Sequence, residues 1–328
     1  MDLFDVNNIF SLTYDKGTFS DQCLRTFRFQ YAGNQVYRQW CGLMGASIGD
    51  SMTPATIPSL PVSFFKTHTV AAGNFHPELV FESSGTTQTI QSKHLVRFAD
   101  VYRQSFLKAF ELFYGKVSDW CILGLLPSYL ERQHSSLVMM VDELIGLSGH
   151  ADSGFYLNEY AKLSETLQKL EGGRQKTILI GVTFGLLNFA ESFPQRLSHT
   201  IVMETGGMKG RRKELTRTAV HECLKDRLGI PAVHSEYGMT ELLSQAYSKG
   251  DGRFVCPPWM RVFVRDEQDP LLVKESGKGI LQVIDLANRY SCSFIATEDV
   301  GIVYEDGSFE VWGRLDNSDL RGCSLLAV

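Results

Sequence analysis

Between residues 177 and 229 the chain switches between two hydrophobic periods, and this does most to narrow the folds open to it. Thr177 to Phe184 is a short apolar, β-branched run with charged residues before it and Gly185 after it, the pattern of a strand buried on both faces. His199 to Met203 reads the same way. Leu215, Ala219, Cys223, Leu224 and Leu228 then fall on one helical face, and Gly229 follows as a stop signal. A strand buried on both faces needs helices above and below it, and parallel neighbours need crossovers. The middle of the chain therefore predicts an α/β body built on a parallel sheet.

The flanks extend this body in different ways. Leu95, Phe98, Val101, Tyr102, Phe106, Ala109, Phe110 and Phe113 recur at spacings of three and four, predicting an amphipathic helix over 95–114. Residues 136–147 and 156–170 also read as helices. Residues 42–65 are rich in Gly, Ser, Thr and Pro and end in Leu60-Pro61-Val62-Ser63-Phe64-Phe65, which predicts a loop and then a strand. On this reading a helical and loop segment, 1–60, packs on a body spanning 61–328. Towards the end the pattern turns to alternation at Met260, Val262 and Val264, a strand at Ile280 to Asp285 and a hairpin at Tyr304 to Phe309. That marks a smaller β-rich section at about 257–318, followed by a short tail, 319–328.

Composition removes several functions. The chain has 328 residues, and its 32 Lys and Arg against 37 Asp and Glu give a formal charge of −5, the wrong sign for a protein that coats phosphate backbones. Nucleic acid is not an expected partner. The start, Met1-Asp2-Leu3-Phe4-Asp5, lacks a basic region and a continuous apolar stretch, so it predicts no signal peptide. No run reaches the roughly 18 to 20 apolar residues of a membrane helix, so no integral membrane contact is expected. The seven scattered cysteines, with no C-x-x-C, predict reduced thiols in a cytoplasmic protein. By default each is a small buried hydrophobe.

Several motif matches fail on context. Gly45-Ala46-Ser47-Ile48-Gly49 fits G-x-S-x-G, but Pro54 and Pro58 follow where the motif needs a helix. There is no G-x-x-x-x-G-K-[ST], and His221-Glu222-Cys223-Leu224-Lys225 is not H-E-x-x-H. The histidines have no metal-ligand spacing and read as surface or satisfied core groups.

Three other segments carry chemistry. Phe81-Glu82-Ser83-Ser84-Gly85-Thr86-Thr87-Gln88 follows an apolar pair, and its hydroxyls and glycine-exposed amides suit phosphate oxygens, with Lys93 nearby to add charge. His234-Ser235-Glu236-Tyr237-Gly238-Met239-Thr240-Glu241 offers a flat ring, a glycine for close approach, a hydroxyl donor and a carboxylate for Mg²⁺. Ile295-Ala296-Thr297-Glu298-Asp299-Val300-Gly301 and then Gly313-Arg314-Leu315-Asp316 place an aspartate and an arginine suited to ribose hydroxyls. Read singly, these segments are a loop, a capped turn and a salt bridge.

In this order the three segments resemble the nucleotide-binding signatures of the adenylate-forming superfamily of acyl-CoA synthetases. A narrower resemblance, to the LuxE family of acyl-protein synthetases, lies in Met203-Glu204-Thr205-Gly206-Gly207-Met208-Lys209-Gly210-Arg211-Arg212-Lys213-Glu214, in Leu126-Pro127-Ser128-Tyr129-Leu130-Glu131-Arg132, and in Asp319-Leu320-Arg321-Gly322-Cys323-Ser324-Leu325-Leu326. It runs from about residue 60 to the end.

The resemblance implies an α/β adenylating domain with mixed and parallel sheets flanked by helices, and an enzyme using ATP and Mg²⁺. A carboxylic acid, a fatty acid in the family, attacks the α-phosphorus to give acyl-adenylate and pyrophosphate. The acyl group then passes to a cysteine near the C-terminus, by position Cys323, and on to a partner such as an acyl reductase or an acyl carrier. Carried over residue by residue, Ser83, Ser84, Gly85, Thr86 and Thr87 hold phosphates, with Lys93 beside them. Gly206 and Gly207 line the adenine pocket, Tyr237 and Gly238 lie against the base, Thr240 meets the α-phosphate and Glu241 binds Mg²⁺. Asp299 and Arg314 hold the ribose. Phe184 and residues 136–141 are expected in the wall for the acyl chain.

The sequence departs from the superfamily at Gln88, and at Glu298 before Asp299, where glycine is usual. With 12 residues after Asp316, the sequence is not expected to carry the superfamily's mobile C-terminal domain and its lysine. Arg211, Arg212 and Lys213 are the candidate replacements for that charge. The alternatives are an acyl-CoA or acyl-carrier ligase, and a non-catalytic nucleotide-binding subunit.

Overall fold

The computed structural model describes residues 9–46, 52–84, 90–126, 134–157, 159–206, 216–269 and 271–315. Two helices open it, α1 (Lys16–Gly33) and α2 (Gln35–Leu43). The Asp15 carboxylate caps α1 by accepting from the Thr18 amide at 2.6 Å, and Asn34 caps α2 by accepting from the Tyr37 amide at 3.0 Å. A two-residue strand β1 (Leu60–Pro61), a single-turn helix α3 (Phe64–Thr67) and a hairpin of β2 (Leu79–Glu82) and β3 (Lys93–Val96) lead into α4 (Ala99–Tyr114).

The α/β part then runs β4 (Cys121–Leu125), α5 (Ser136–Ser148), β5 (Gly154–Phe155), α6 (Tyr160–Gly172), β6 (Thr177–Val182), α7 (Thr183–Ser192), β7 (Thr200–Thr205), α8 (Arg217–Leu228) and β8 (His234–Tyr237). Strands β9 (Ala246–Ser248), β10 (Phe254–Val255), β11 (Met260–Arg265), β12 (Val273–Lys274), β13 (Gly277–Asp285), β14 (Phe294–Val303) and β15 (Phe309–Arg314) complete it. All but the β2–β3 hairpin join one sheet, in the order β12-β11-β13-β14-β15-β10-β9-β8-β7-β6-β4-β5, with β1 parallel to β14. From β5 to β8 the strands are parallel, and from β8 to β12 each neighbour is antiparallel.

Alternation along the parallel strands divides the core. Ile122, Ile178 and Ile180 pack with α4 and α5 on one face, while Cys121, Leu123 and Leu179 pack with α6, α7 and α8 on the other. The predicted α/β architecture, with helices on both faces of a sheet, is the one observed. Helix α8 ends at Gly229, in the left-handed region at φ 61°, where only glycine avoids a Cβ clash.

Three predicted boundaries are corrected. The helix expected at 95–114 begins at Ala99, because Lys93 to Val96 pair with Glu82 to Leu79 instead. The strand expected to reach Phe184 stops at Val182 and α7 starts at Thr183, since an unbroken apolar run suits a buried helix as well as a strand. The strand expected through Phe65 is only Leu60–Pro61 before α3. Among the described residues, no helix is long and apolar enough to cross a membrane.

Candidate nucleotide site

The carboxyl ends of β7 and β8 lie where the sheet changes from parallel to antiparallel pairing, and open α/β sheets bind ligands outside the carboxyl ends of their parallel strands. Gly206 follows β7 at φ 73°, and a Cβ added there would meet nothing within 4 Å. Its carbonyl accepts from the Thr183 hydroxyl at 2.8 Å. Behind it, the buried Glu204 carboxylate is gripped by His221 Nε2 at 3.2 Å, Arg217 Nε at 3.3 Å, Ser235 Oγ at 3.1 Å and Thr183 Oγ1 at 3.1 Å. Burial alone would raise its pKa, but the His221 hydrogen bond and the Arg217 charge outweigh this and hold the carboxyl below its ordinary range.

Tyr237, at the end of β8, donates its hydroxyl to Asp299 Oδ2 at 2.8 Å, and Arg314 Nε reaches Asp299 Oδ1 at 3.0 Å. The Cα register of β14 and β15 sets Asp299 opposite Arg314. The structure thus brings three sequence-predicted site residues from separate segments into contact. The Tyr237 ring rests edge-on against Phe309 and tilted against Phe254. Burial opposes the charge of Arg314, but Asp299, and after it Tyr237 and Glu241, raise its pKa.

The turn after β8 is held from two sides. Asp285, fully buried, accepts from the amides of Leu243 and Ser244 at 2.8 and 2.9 Å and from the Ser244 hydroxyl at 2.6 Å. From the other side His94 Nδ1 meets the Thr240 carbonyl at 2.8 Å, and Asn288 Nδ2 donates to the Glu241 carbonyl at 2.7 Å. Asn288 Oδ1 lies 2.8 Å from His94 Nε2, so both ring nitrogens face acceptors. That geometry favours the imidazolium, while complete burial pushes the pKa down to about 4.

The Glu241 carboxyl is also buried. Burial raises its pKa, against a hydrogen bond from Ser92 and the charges of Arg314 and Lys66. Ser92 in turn closes the base of the Ser/Thr/Gly loop. Its amide donates to Ser83 Oγ at 2.9 Å, and the Ser83 amide donates to its carbonyl at 3.1 Å. The phosphate-type loop and the Glu241 turn therefore share one small side chain.

Among the other predicted residues, Ser84 is exposed at the loop entrance, and Lys93 forms an ion pair with Glu82 at 3.3 Å across the hairpin. Gly238 lies against the Glu236 carboxyl, with a Cβ position 2.6 Å from Oε1. Gly85, Thr86, Thr87, Gly207, Cys323, Arg211, Arg212 and Lys213 lie outside the described residues. His94, Asn288, Asp285 and Ser92 were not predicted. None sits in a motif, and their role comes from pairing distances along the chain that spacing does not encode. The donor set suits a magnesium nucleotide. Among the described residues no group of three or more His, Cys, Asp or Glu side chains is placed to hold a metal.

The architecture is that of the N-terminal part of adenylate-forming enzymes. It superposes on the ATP-bound RpMatB–BxBclM chimera with a TM-score of 0.51 and 16% identity, over 74% of this chain and 49% of that one. A long-chain-fatty-acid–CoA ligase from Archaeoglobus fulgidus gives 0.50 and 16%, over 72% and 51%. The chain thus spans about half the length of these structures. Two curated relatives cover more. The long-chain-fatty-acid–luciferin-component ligase of Aliivibrio fischeri is 23% identical over 91% of this chain and 85% of its own length. That of Vibrio harveyi is 22% identical over 91% and 84%. No family model matches the chain.

Proposed function

We propose that the protein is an ATP-dependent acyl-protein synthetase of the LuxE type, working as one adenylating unit over residues 61–328 with the 1–60 segment packed on it. A carboxylate oxygen of a fatty acid attacks the α-phosphorus of ATP and the bond to pyrophosphate breaks, leaving acyl-adenylate. The Cys323 thiolate then attacks the acyl carbon and AMP leaves with the bonding electrons, so the acyl group rests as a thioester until a partner, such as an acyl reductase, accepts it. When bound, Mg²⁺ neutralises phosphate charge. In this scheme Asp299 and Arg314 hold the ribose, and Tyr237 with Gly206, Gly207 and Gly238 frames the base. Thr240 meets the α-phosphate, Glu241 ligates Mg²⁺, and Ser83 to Thr87 with Lys93 receive the outer phosphates.

The observation that carries this reading is the convergence of Tyr237, Asp299 and Arg314 beside the buried Glu241 turn, at the end of the strand where the sheet changes pairing. The breadth of the similarity to two ligases named for long-chain fatty acids supports the acid. The test incubates wild type and Cys323→Ser with Mg-ATP and labelled fatty acids, followed by intact-protein mass spectrometry and hydroxylamine. A hydroxylamine-labile adduct in wild type alone is expected. Acyl-adenylate with no adduct on either protein would remove Cys323 as acceptor, and acyl transfer that depends on added CoA or carrier thiol would favour an acyl-CoA or acyl-carrier ligase.

A further inference from the structure

Glu236 directly precedes the predicted site residues Tyr237 and Gly238, and the scheme above gives it no task. Its register partners are Thr205 on β7 and Tyr247 on β9, and cross-strand partners share a face of the sheet. Alternation sends Ser235 and Tyr237 to the opposite face, where Ser235 meets Glu204 and Tyr237 meets Asp299. The Glu236 carboxyl therefore points away from Tyr237 and Asp299, towards the face that α4 and α5 cover, and lies against Gly238.

That environment does not satisfy it. Glu236 is 9% exposed, has no ion pair among the described residues, and accepts a short hydrogen bond from the Thr205 hydroxyl. Burial pushes its pKa up to about 7. Beside it the Tyr247 hydroxyl and Gln245 Oε1 are buried without a hydrogen-bond partner among the described residues. Tyr247 is 2% exposed and feels the Glu236 charge, and Gln245 Cγ lies 3.6 Å from the same Gly238 Cβ position that the Glu236 carboxyl approaches. Buried polar atoms are nearly always paired, so three incompletely paired groups at one strand end point to a missing ligand.

The direction of the cluster indicates which ligand. Tyr102, whose phenol also feels the Glu236 charge, donates to the Ser136 carbonyl at 2.8 Å, at the start of α5. Met139, Met140 and Val141 of α5 belong to the same apolar core as Tyr102 and Tyr247. The polar cluster is thus contiguous with an apolar wall, an arrangement suited to a mostly hydrocarbon molecule with a polar group.

We infer that Glu236, with Tyr247 and Gln245, reads a hydrogen-bond-donating substituent, a hydroxyl or an amine, on the acid that the protein activates, so that its substrate class is a substituted carboxylic acid. This rests on the acid-activating reading above and narrows it. A pocket built to pair with a polar group rejects the analogue lacking it, since its own groups are then left unpaired.

The test is calorimetric titration of wild type, Glu236→Gln, Glu236→Leu and Tyr247→Phe with matched acids, each as the plain, hydroxylated and amino-substituted form with the substituent stepped along the chain. Wild type should bind one substituted form roughly tenfold or more tighter than the plain acid. Glu236→Leu should erase that preference, and Glu236→Gln should keep it for a hydroxyl but lose it for an amine. Equal binding of plain and substituted acids to wild type, or an equal loss for both in Glu236→Leu, overturns the inference. If Glu236→Leu does not fold, as judged by circular dichroism, the near-isosteric Gln and Phe variants decide. Pyrophosphate exchange, run in parallel, separates the two readings. A binding preference without exchange would sink acid activation and support Glu236, whereas exchange without a preference would sink Glu236 alone.

Discussion

At the scale of single residues, Asp299 and Glu236 show two ways of keeping a carboxyl inside a protein. Asp299 has a phenol on one oxygen and a guanidinium on the other, so its charge is compensated. Asp299→Asn keeps the shape and removes the charge that pairs with the exposed Arg314. ATP affinity should fall roughly tenfold to a hundredfold, about 1.4 to 2.8 kcal/mol, read by titration with a non-hydrolysable analogue. Unchanged affinity would place the ribose elsewhere. Glu236 has no such compensation, and its pKa rises from 4.5 to about 7. Between those values the unfolded chain ionises while the folded protein still holds the proton, so stability is full at the acid end and falls as pH rises through this window. The loss is about 3 kcal/mol at most, and Glu236→Gln should flatten the slope of urea-unfolding stability between pH 5 and 7. An unaltered slope would mean the carboxyl is ionised throughout.

At the scale of elements, the β2–β3 hairpin and the turn after β8 are joined by His94, Asn288 and Ser92, which none of the motifs contains. His94→Ala would leave the Thr240 carbonyl and the Asn288 side-chain oxygen buried without these partners. Because the neutral ring carries a single N–H, that should cost about 1 to 3 kcal/mol, counted as one unpaired acceptor, and should speed hydrogen exchange at the amides of Leu242 to Ser244. Loss of stability without faster local exchange would make His94 a packing residue only. The contrast with what could be read beforehand has a physical cause. Tyr237, Asp299 and Arg314 stand out beforehand because the segments that hold them resemble, in their order along the chain, the signatures of a known superfamily, while each read singly is a turn or salt-bridge residue. The strands at 177 and 200 and the helix ending at Gly229 were legible because burial imposes a period on the sequence. His94 and Asn288 stand 194 positions apart, and nothing local in either marks the pairing. Leu95 and Val96 fall inside the predicted helix because Leu95 fits a helical face as well as a hairpin, and only the partner strand decides between them.

At the scale of the whole molecule, the first helices reach the candidate site through one loop. Gln30 of α1, fully buried, donates to the carbonyls of Asn288 and Arg289 at 3.0 and 2.8 Å and accepts from the Ser293 amide at 3.0 Å. Tyr37 of α2 stacks on Phe294 at 5.9 Å and donates its hydroxyl to the Pro58 carbonyl at 2.7 Å. Both contacts fasten the N-terminal helices, but only Gln30 fixes the backbone of the residue that also holds the Glu241 carbonyl. The two contacts therefore predict different outcomes. Gln30→Ala strands several buried partners and should cost about 2 to 4 kcal/mol of stability, and it should also weaken Mg-ATP binding several-fold by loosening Asn288. Tyr37→Phe removes one hydrogen bond and should cost about 1 kcal/mol while leaving nucleotide affinity unchanged. Paired denaturant curves and nucleotide titrations on the two variants separate the effects. If both variants weaken binding in proportion to their loss of stability, the coupling is global softening. If Gln30→Ala alone does so under conditions where it is fully folded, the 288–293 loop is the path by which the N-terminal helices set the position of the Glu241 turn.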